Sequence, residues 1–417
     1  MADPLPKHVT VQAAQQPQAV RTFRRGRFIP VARCDLEALL GRHVEPAAEA
    51  WQQYREVCRL LDAVIHAEYR RRLMRLKEAY APFDPDADAP AVVRLSPDEA
   101  QARTEGVVAE TKFLLERANF RVLERSAVDA AVGAVSPWGL RLRVDLEVFD
   151  RLEVWARGEM VDHRTRRSWT TWFRPQHYRI PLYQRLMIVF QPHDDDLDEQ
   201  GYDHRRLYLK LFKNIPDGDV DMVLPGTHVR MTMLDQGKIF FPVISGLVMT
   251  AWKIIKGALV VAAVGIYGLL AYVTLIIGTI GYGWRSFFGY KRTKEKYQLN
   301  LTQNLYYQKL DGNLGALLRL SDEAEEQEYR ETLTAWFLLW RQAPHDGWLM
   351  EELDRSAERL LQAELKRDVD FDVGDALDKL IRWGLVDVQA DGRLTARDPE
   401  RIVSGLEDRL RSAGERG

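Results

Sequence analysis

The sequence predicts an α+β membrane protein: N-terminal helices with an antiparallel sheet, a two-helix transmembrane hairpin, and a C-terminal winged-helix-like α domain. Three observations predict it. From Ile239 to Trp284 the only charges are Lys253 and Lys256. Upstream of that run, apolar residues recur first at helical spacing and then at period two. Downstream, helical patterns are followed by an Asp-Gly hairpin signal.

In chain order, residues 1–27 read as a disordered basic lead-in. The first twenty are polar and carry proline and glutamine, a composition that buries too little to fold. Arg21, Arg24, Arg25 and Arg27 follow. They face solvent, or touch anionic lipid. An Arg-rich, acid-poor start also raises a mitochondrial transit peptide, against which Pro4, Pro6 and Pro17 weigh.

Residues 28–232 read as an α+β domain. Trp51, Tyr54, Val57, Leu61, Val64 and Ile65 lie three and four apart, one apolar face of a helix over 46–80. Pro82-Phe83-Asp84-Pro85 stops it. Ser96 before Pro97 starts a second helix, with Val108, Phe113, Leu114 and Leu115 as core candidates. Near Gly139 the period changes to two. Leu140, Leu142, Val144, Leu146 and Val148 alternate with charged residues; Leu152, Val154 and Ala156 repeat the pattern. Leu186 to Phe190 is continuously apolar, and Leu207, Leu209 and Leu211 alternate with Tyr208, Lys210 and Phe212. Strands at such spacing make an antiparallel sheet.

Residues 233–290 carry the hairpin. Gly257 to Trp284 holds no charged, Asn, Gln or His side chain, and about 20 such residues span the hydrocarbon layer. The reading places a turn at Lys256-Gly257, so that Lys253 and Lys256 reach the far headgroups. A turn at Gly265–Gly268, or a single span with an interfacial upstream limb, are the alternatives. Trp284, Arg285, Lys291, Arg292 and Lys294 mark the return to the cytoplasmic interface. Residues 291–320 read as a linker.

Residues 321–417 read as the winged-helix-like domain. Ser321 is expected to cap a helix whose inner face is Tyr329, Leu333, Trp336, Phe337 and Trp340. The next uses Leu353, Ala357, Leu360, Leu361 and Leu365. A third puts Val373, Ala376, Leu377, Leu380 and Ile381 on one face and ends at Gly384. Asp391-Gly392 then signals a hairpin. Such folds often bind DNA, but the helix in the recognition position carries Asp372, Asp375 and Asp378. That face repels phosphates, so no nucleic acid is expected.

Catalytic signatures are absent: the chain has no HExxH, GxSxG, GxxxxGK[ST] or CxxC. No catalytic, cofactor or metal residue is assigned. The acidic run His193 to Glu199, with His204 beyond, imitates a calcium loop. It puts Glu199 where glycine is needed and Arg205 where glutamate is needed, so a solvated loop is expected. Net charge is −2, which gives no basic field. Two cysteines, Cys34 and Cys58, and no secretory signal fit a reducing compartment.

A resemblance adds to this reading. Leu211-Phe212-Lys213-Asn214-Ile215-Pro216, Asp221-Met222-Val223-Leu224-Pro225-Gly226-Thr227, Phe287-Phe288-Gly289-Tyr290-Lys291, Asn304-Leu305-Tyr306-Tyr307, Asn313-Leu314-Gly315 and Asp322 to Glu328 carry it. The stretch resembles the uncharacterised family that includes mitochondrial transmembrane protein 143 and its plant and bacterial relatives. The resemblance implies two membrane spans between two soluble parts, and no activity. The Ala-, Arg- and Asp-rich composition leans toward a bacterial plasma membrane, with a mitochondrial membrane the alternative.

Three functions follow as expectations. The first is a non-enzymatic, membrane-anchored interaction or scaffold protein with an unidentified protein partner and the lipid bilayer, including anionic lipid, as its surroundings. The second is a transport or channel component built from a homo-oligomer of hairpins. The weakest is an enzyme on lipid or nucleotide, sited near Arg157, His193 or Asp194.

Overall fold

The computed structural model describes residues 21–23, 25–44, 49–87, 95–123, 141–144, 146–167, 175–193, 201–230, 248, 252 and 308–414. The fold is α+β, and its strands pair antiparallel wherever a register is defined.

The helices follow local rules. α1 spans Arg33–Gly41 and α2 spans Glu49–Tyr80. α2 buries Tyr54, Val57, Leu61, Val64 and Ile65, the face that the spacing predicts. It passes into a 3₁₀ turn, Ala81–Phe83, where the Pro82 ring stops it. Arg206 then ties the turn down, donating to the carbonyls of Pro82 and Asp84 at 3.1 Å each. α3 spans Pro97–Arg117, and Ser96 opens it with a capping box: Ser96 Oγ accepts from Glu99 N, and Glu99 accepts from Ser96 N at 2.9 Å.

The main sheet holds β1 (Arg21–Phe23), β2 (Arg121–Val122), β4 (Phe149–Arg167), β5 (Pro175–Pro192), β6 (Tyr208–Pro216) and β8 (Lys309–Gly312). Its order is β1-β4-β5-β6-β8, with β2 also on β4. β3 (Arg141–Val144) pairs instead with β7 (Thr227–Arg230), so the alternation beginning at Leu140 is strand only over 141–144, with turn residues at 146–148 before β4 starts. Short α4 (Val220–Val223) precedes β7. α5 (Asn313–Arg341), α6 (Met350–Leu365) and α7 (Val373–Trp383) follow β8. A hairpin of β9 (Val386–Val388) and β10 (Leu394–Ala396) leads to α8 (Pro399–Gly414).

The chain divides into two compact units. One comprises 1–59, 157–184 and 329–406. In it Tyr54 lies parallel to Trp336 at 6.4 Å and to Trp340 at 6.5 Å, with Phe337 edge-on at 5.9 Å. Gly26 bridges Val369, and Asp370 N donates to Gly26 O at 3.0 Å. Arg25 pairs there with Glu358 at 2.5 Å and Asp370 at 3.0 Å, and Arg27 with Asp372 at 3.0 Å. These arginines of the basic lead-in therefore bind the acidic stretch before α7.

The other unit comprises 60–156, 185–328 and 407–417. Its core takes Leu114, Leu115, Leu186 to Phe190, and Leu207, Leu209 and Leu211. Tyr69 donates to Glu328, and Arg185 pairs with Glu323 at 3.3 Å. Glutamates of α5 thus hold side-chain partners in mid-helix. They do not complement a helix start at Ser321, because α5 begins at Asn313 and Ser321 is buried within it.

The membrane part of the predicted fold is corrected. Among the described residues no helix is long and apolar enough to cross a membrane. α2 and α5 have the length, with 32 and 29 residues, but charged side chains recur along both. α2 is amphipathic and buries one face, whereas α5 is buried on every side from Gln327 to Leu339, its charged residues included. The α+β fold with an antiparallel sheet stands; the transmembrane hairpin, and the multi-pass plasma-membrane or mitochondrial placement built on it, do not. The stretch read as the hairpin, with its turn at Lys256-Gly257, lies outside the described residues apart from Val248 and Trp252. So do Lys253, Lys256, Trp284, Arg285, Lys291, Arg292 and Lys294.

Candidate functional site

Two places concentrate chemistry that the core does not require. The first is on β6. Tyr208, Lys210 and Phe212 share one face of that strand. Phe190 from β5 stacks on Tyr208 at 5.1 Å, and Tyr202 stands edge-on to both rings, at 5.4 Å from Phe190 and 4.9 Å from Tyr208. The Lys210 ammonium sits 4.7 Å from the Tyr202 ring centre and 5.3 Å from that of Phe190, and donates to the Tyr202 hydroxyl. Ring faces attract a cation. Burial, and next the charge of Lys309, nevertheless push the Lys210 amine down to about 8.

The second place is the surface of α6 and α7. Asp372 caps α7, and Gly384 closes it at φ 71°. Val373, Ala376, Leu377, Leu380 and Trp383 face inward. Lys379 is also buried, its ammonium 4.9 Å from the Trp383 ring centre. Ile381 was expected on that inner face and is instead 44% exposed. Positions 374, 378, 381 and 382 line one outer stripe, since residues three and four apart are neighbours on a helix. The stripe reads glycine, Asp378, Ile381, Arg382. The Met350 methyl, at the start of α6, lies 3.9 Å from where a Cβ on Gly374 would stand. Met350 is 45% exposed, so two exposed apolar side chains, Met350 and Ile381, stand at the two ends of the stripe with the exposed Asp378 between them.

The remaining buried ionisable groups are structural. Tyr329 donates to Glu37 Oε1 at 2.6 Å, and Tyr54 to the Glu37 carbonyl at 2.8 Å. Cys58 lies under them, and burial pushes its thiol up to about 12, so no thiolate is available there. Asp221 on α4 is 2% exposed. Burial, then the charge of Asp219, raise its carboxyl to about 7, against donors from the Met222 and Asp221 backbone.

Of the three positions offered for an enzyme site, two are described, one in each unit. Arg157 is buried with its guanidinium 4.2 Å from the Phe28 ring centre. His193 is exposed and pairs with Asp150 at 2.5 Å. Asp194 and the acidic run to Glu199 lie outside the described residues. Among the described residues, no group of three or more His, Cys, Asp or Glu is placed to hold a metal ion.

Sequence reasoning passed over Lys210 because it read Tyr208, Lys210 and Phe212 only as the residues that alternate with three leucines. The available signal was the composition of that face: a lysine between two aromatics has a buried setting.

Residues 182–315 match the model of a family described as a protein of unknown function, DUF3754. The match covers β6, Lys210, Asp221 and Lys309. It supports an uncharacterised family over that stretch, and it does not link the chain to transmembrane protein 143 or to membranes. No solved structure matches the chain.

Proposed function

We propose that this chain is a non-enzymatic interaction protein, and that α7 recognises its partner. The observation that carries the reading is the outer stripe of α7, where Ile381 is exposed beside Asp378 and continues to exposed Met350. Two exposed apolar side chains on either side of an aspartate suit a protein segment that is apolar and basic. It does not suit nucleic acid: Lys379 is turned inward, which leaves Arg382 as the outward base on the helix. The absence of the common catalytic motifs from the sequence agrees with a binding role.

The experiment is cross-linked affinity isolation with the full chain, wild type against Ile381→Asp. Ile381 is exposed, so the substitution leaves the fold intact. A partner whose cross-links map to 350–382, and which the variant loses, supports the reading. Cross-links that map elsewhere, or a partner retained by the variant, overturn it.

A further inference from the structure

The aromatic box on β6 holds a lysine for which no carboxylate partner stands among the described residues. β6 and β8 pair antiparallel, with Lys210 opposite Gly312 and Leu211 opposite Asp311. A bulge then shifts the register, so that Phe212 faces Lys309. In regular pairing Leu310 would stand there, and Lys309 would point to the opposite face. The extra residue re-aims Lys309 onto the face that carries Lys210. Gly312 makes room for it: a Cβ at that position would stand 3.3 Å from both Cε and Nζ of Lys309. Two lysines thus lie across one strand pair, and the charge of Lys309 acts directly on Lys210.

Among the described residues no carboxylate lies within ion-pair distance of either ammonium. The acids nearby are engaged elsewhere. Asp311 accepts from Arg319 at 3.2 Å, and Asp203 pairs with Arg206 at 3.6 Å and approaches His204 at 3.9 Å. Like charges brought together without a counter-ion repel, so the pair is complementary to an anion. Lysines act as point charges and suit the tetrahedral oxygens of phosphate, whereas planar carboxylates favour the arginine fork. The rings of Phe190, Tyr202 and Tyr208 pack on one another, which leaves recognition to the ligand's charged group.

We propose that Lys210 and Lys309 together bind a phosphate group, free or as a phosphomonoester, at the β6–β8 pair. The β6–β8 pair belongs to the other unit from α7, and this site is tested independently of the α7 stripe.

The test is limited acetylation of the full chain at pH 7, with labelling of each lysine read by mass spectrometry. An amine titrating near 8 is neutral in about one molecule in ten, an ordinary lysine in about one in three thousand. The labelling rate of Lys210 in chloride is the reference. Inorganic phosphate at matched ionic strength should slow Lys210 by about tenfold, because a bound anion holds the amine charged. Glycerol phosphate acting at lower concentration would identify a phosphomonoester as the ligand; inorganic phosphate acting alone would identify the free ion. In Lys309→Gln the slowing should fall below about twofold, with circular dichroism and the thermal midpoint unchanged, as expected for an exposed side chain. Equal labelling in phosphate and chloride would overturn the proposal. So would equal protection by acetate, or protection undiminished in Lys309→Gln.

Discussion

Replacing Asp221 by asparagine should make this protein more stable above neutral pH and change it little in acid. The side chain is 2% exposed on α4, and its carboxyl titrates near 7 in the fold against 3.8 for the free group. Burial is the first cause and the Asp219 charge the second. Below pH 3.8 both folded and unfolded chains hold the proton, and the group contributes no pH dependence. Between 3.8 and 7 the folded chain binds more protons than the unfolded one, so stability falls as pH rises. Above 7 the whole penalty is present, at most about 4 kcal/mol at 1.36 kcal/mol per pH unit. Asparagine keeps the shape and cannot ionise. The advantage of Asp221→Asn over the wild type should therefore grow by about 2.6 kcal/mol between pH 5 and pH 8. Urea unfolding of both proteins at the two pH values, with equal m-values, measures it. An advantage that stays constant with pH would refute the reasoning, as would a variant that loses stability at pH 8.

Two further predictions concern the other unit. Cys34 is exposed and Cys58 is buried with its thiol raised to about 12, so a thiol reagent should titrate one cysteine in the native protein and two in denaturant. Trp336 is fully buried, stacked on Trp340 at 5.1 Å; Trp336→Ala should cost about 3–5 kcal/mol in a urea titration, as large-to-small core changes do.

Where structure is decided within a few residues, the sequence is legible. Ser96-Pro97 with Glu99 starts α3, Gly384 ends α7, and the Asp391-Gly392 turn joins β9 to β10, with Gly392 at φ 85°. Where structure is decided across the chain, it is not. Ser321 has the chemistry of a cap but lies buried inside α5. The turn before that helix uses Asn313, at φ 50°, whose side chain accepts from Leu209 N at 3.2 Å and donates to Asp86 at 2.7 Å. The short alternation at Leu152, Val154 and Ala156 belongs to β4, a strand of 19 residues that runs on to Arg167. Its alternation breaks at Gly158, at φ 70°, where a Cβ would stand 2.7 Å from the Gln184 side chain. Ile381 fits the inner face of α7 by spacing, yet Lys379 is the residue buried there. The Lys210 setting was hidden for the same reason, since Phe190, Tyr202 and Lys309 come from three separate stretches. The run from Ile239 to Trp284 marks the limit of reading composition alone. Its apolarity pointed to a hairpin, while the long helices of the described fold, α2 and α5, carry charged side chains along their length.

The most direct measurement of the interaction reading places a photo-activatable amino acid at position 381 of the full chain in cells. A second protein carries it at Gln389, exposed beyond β9. Irradiation should give one discrete adduct from 381 and none from 389, and the adduct should disappear when Asp375 and Asp378 are both changed to lysine. No adduct from 381, or the same adduct from both positions, would contradict a partner bound along α7.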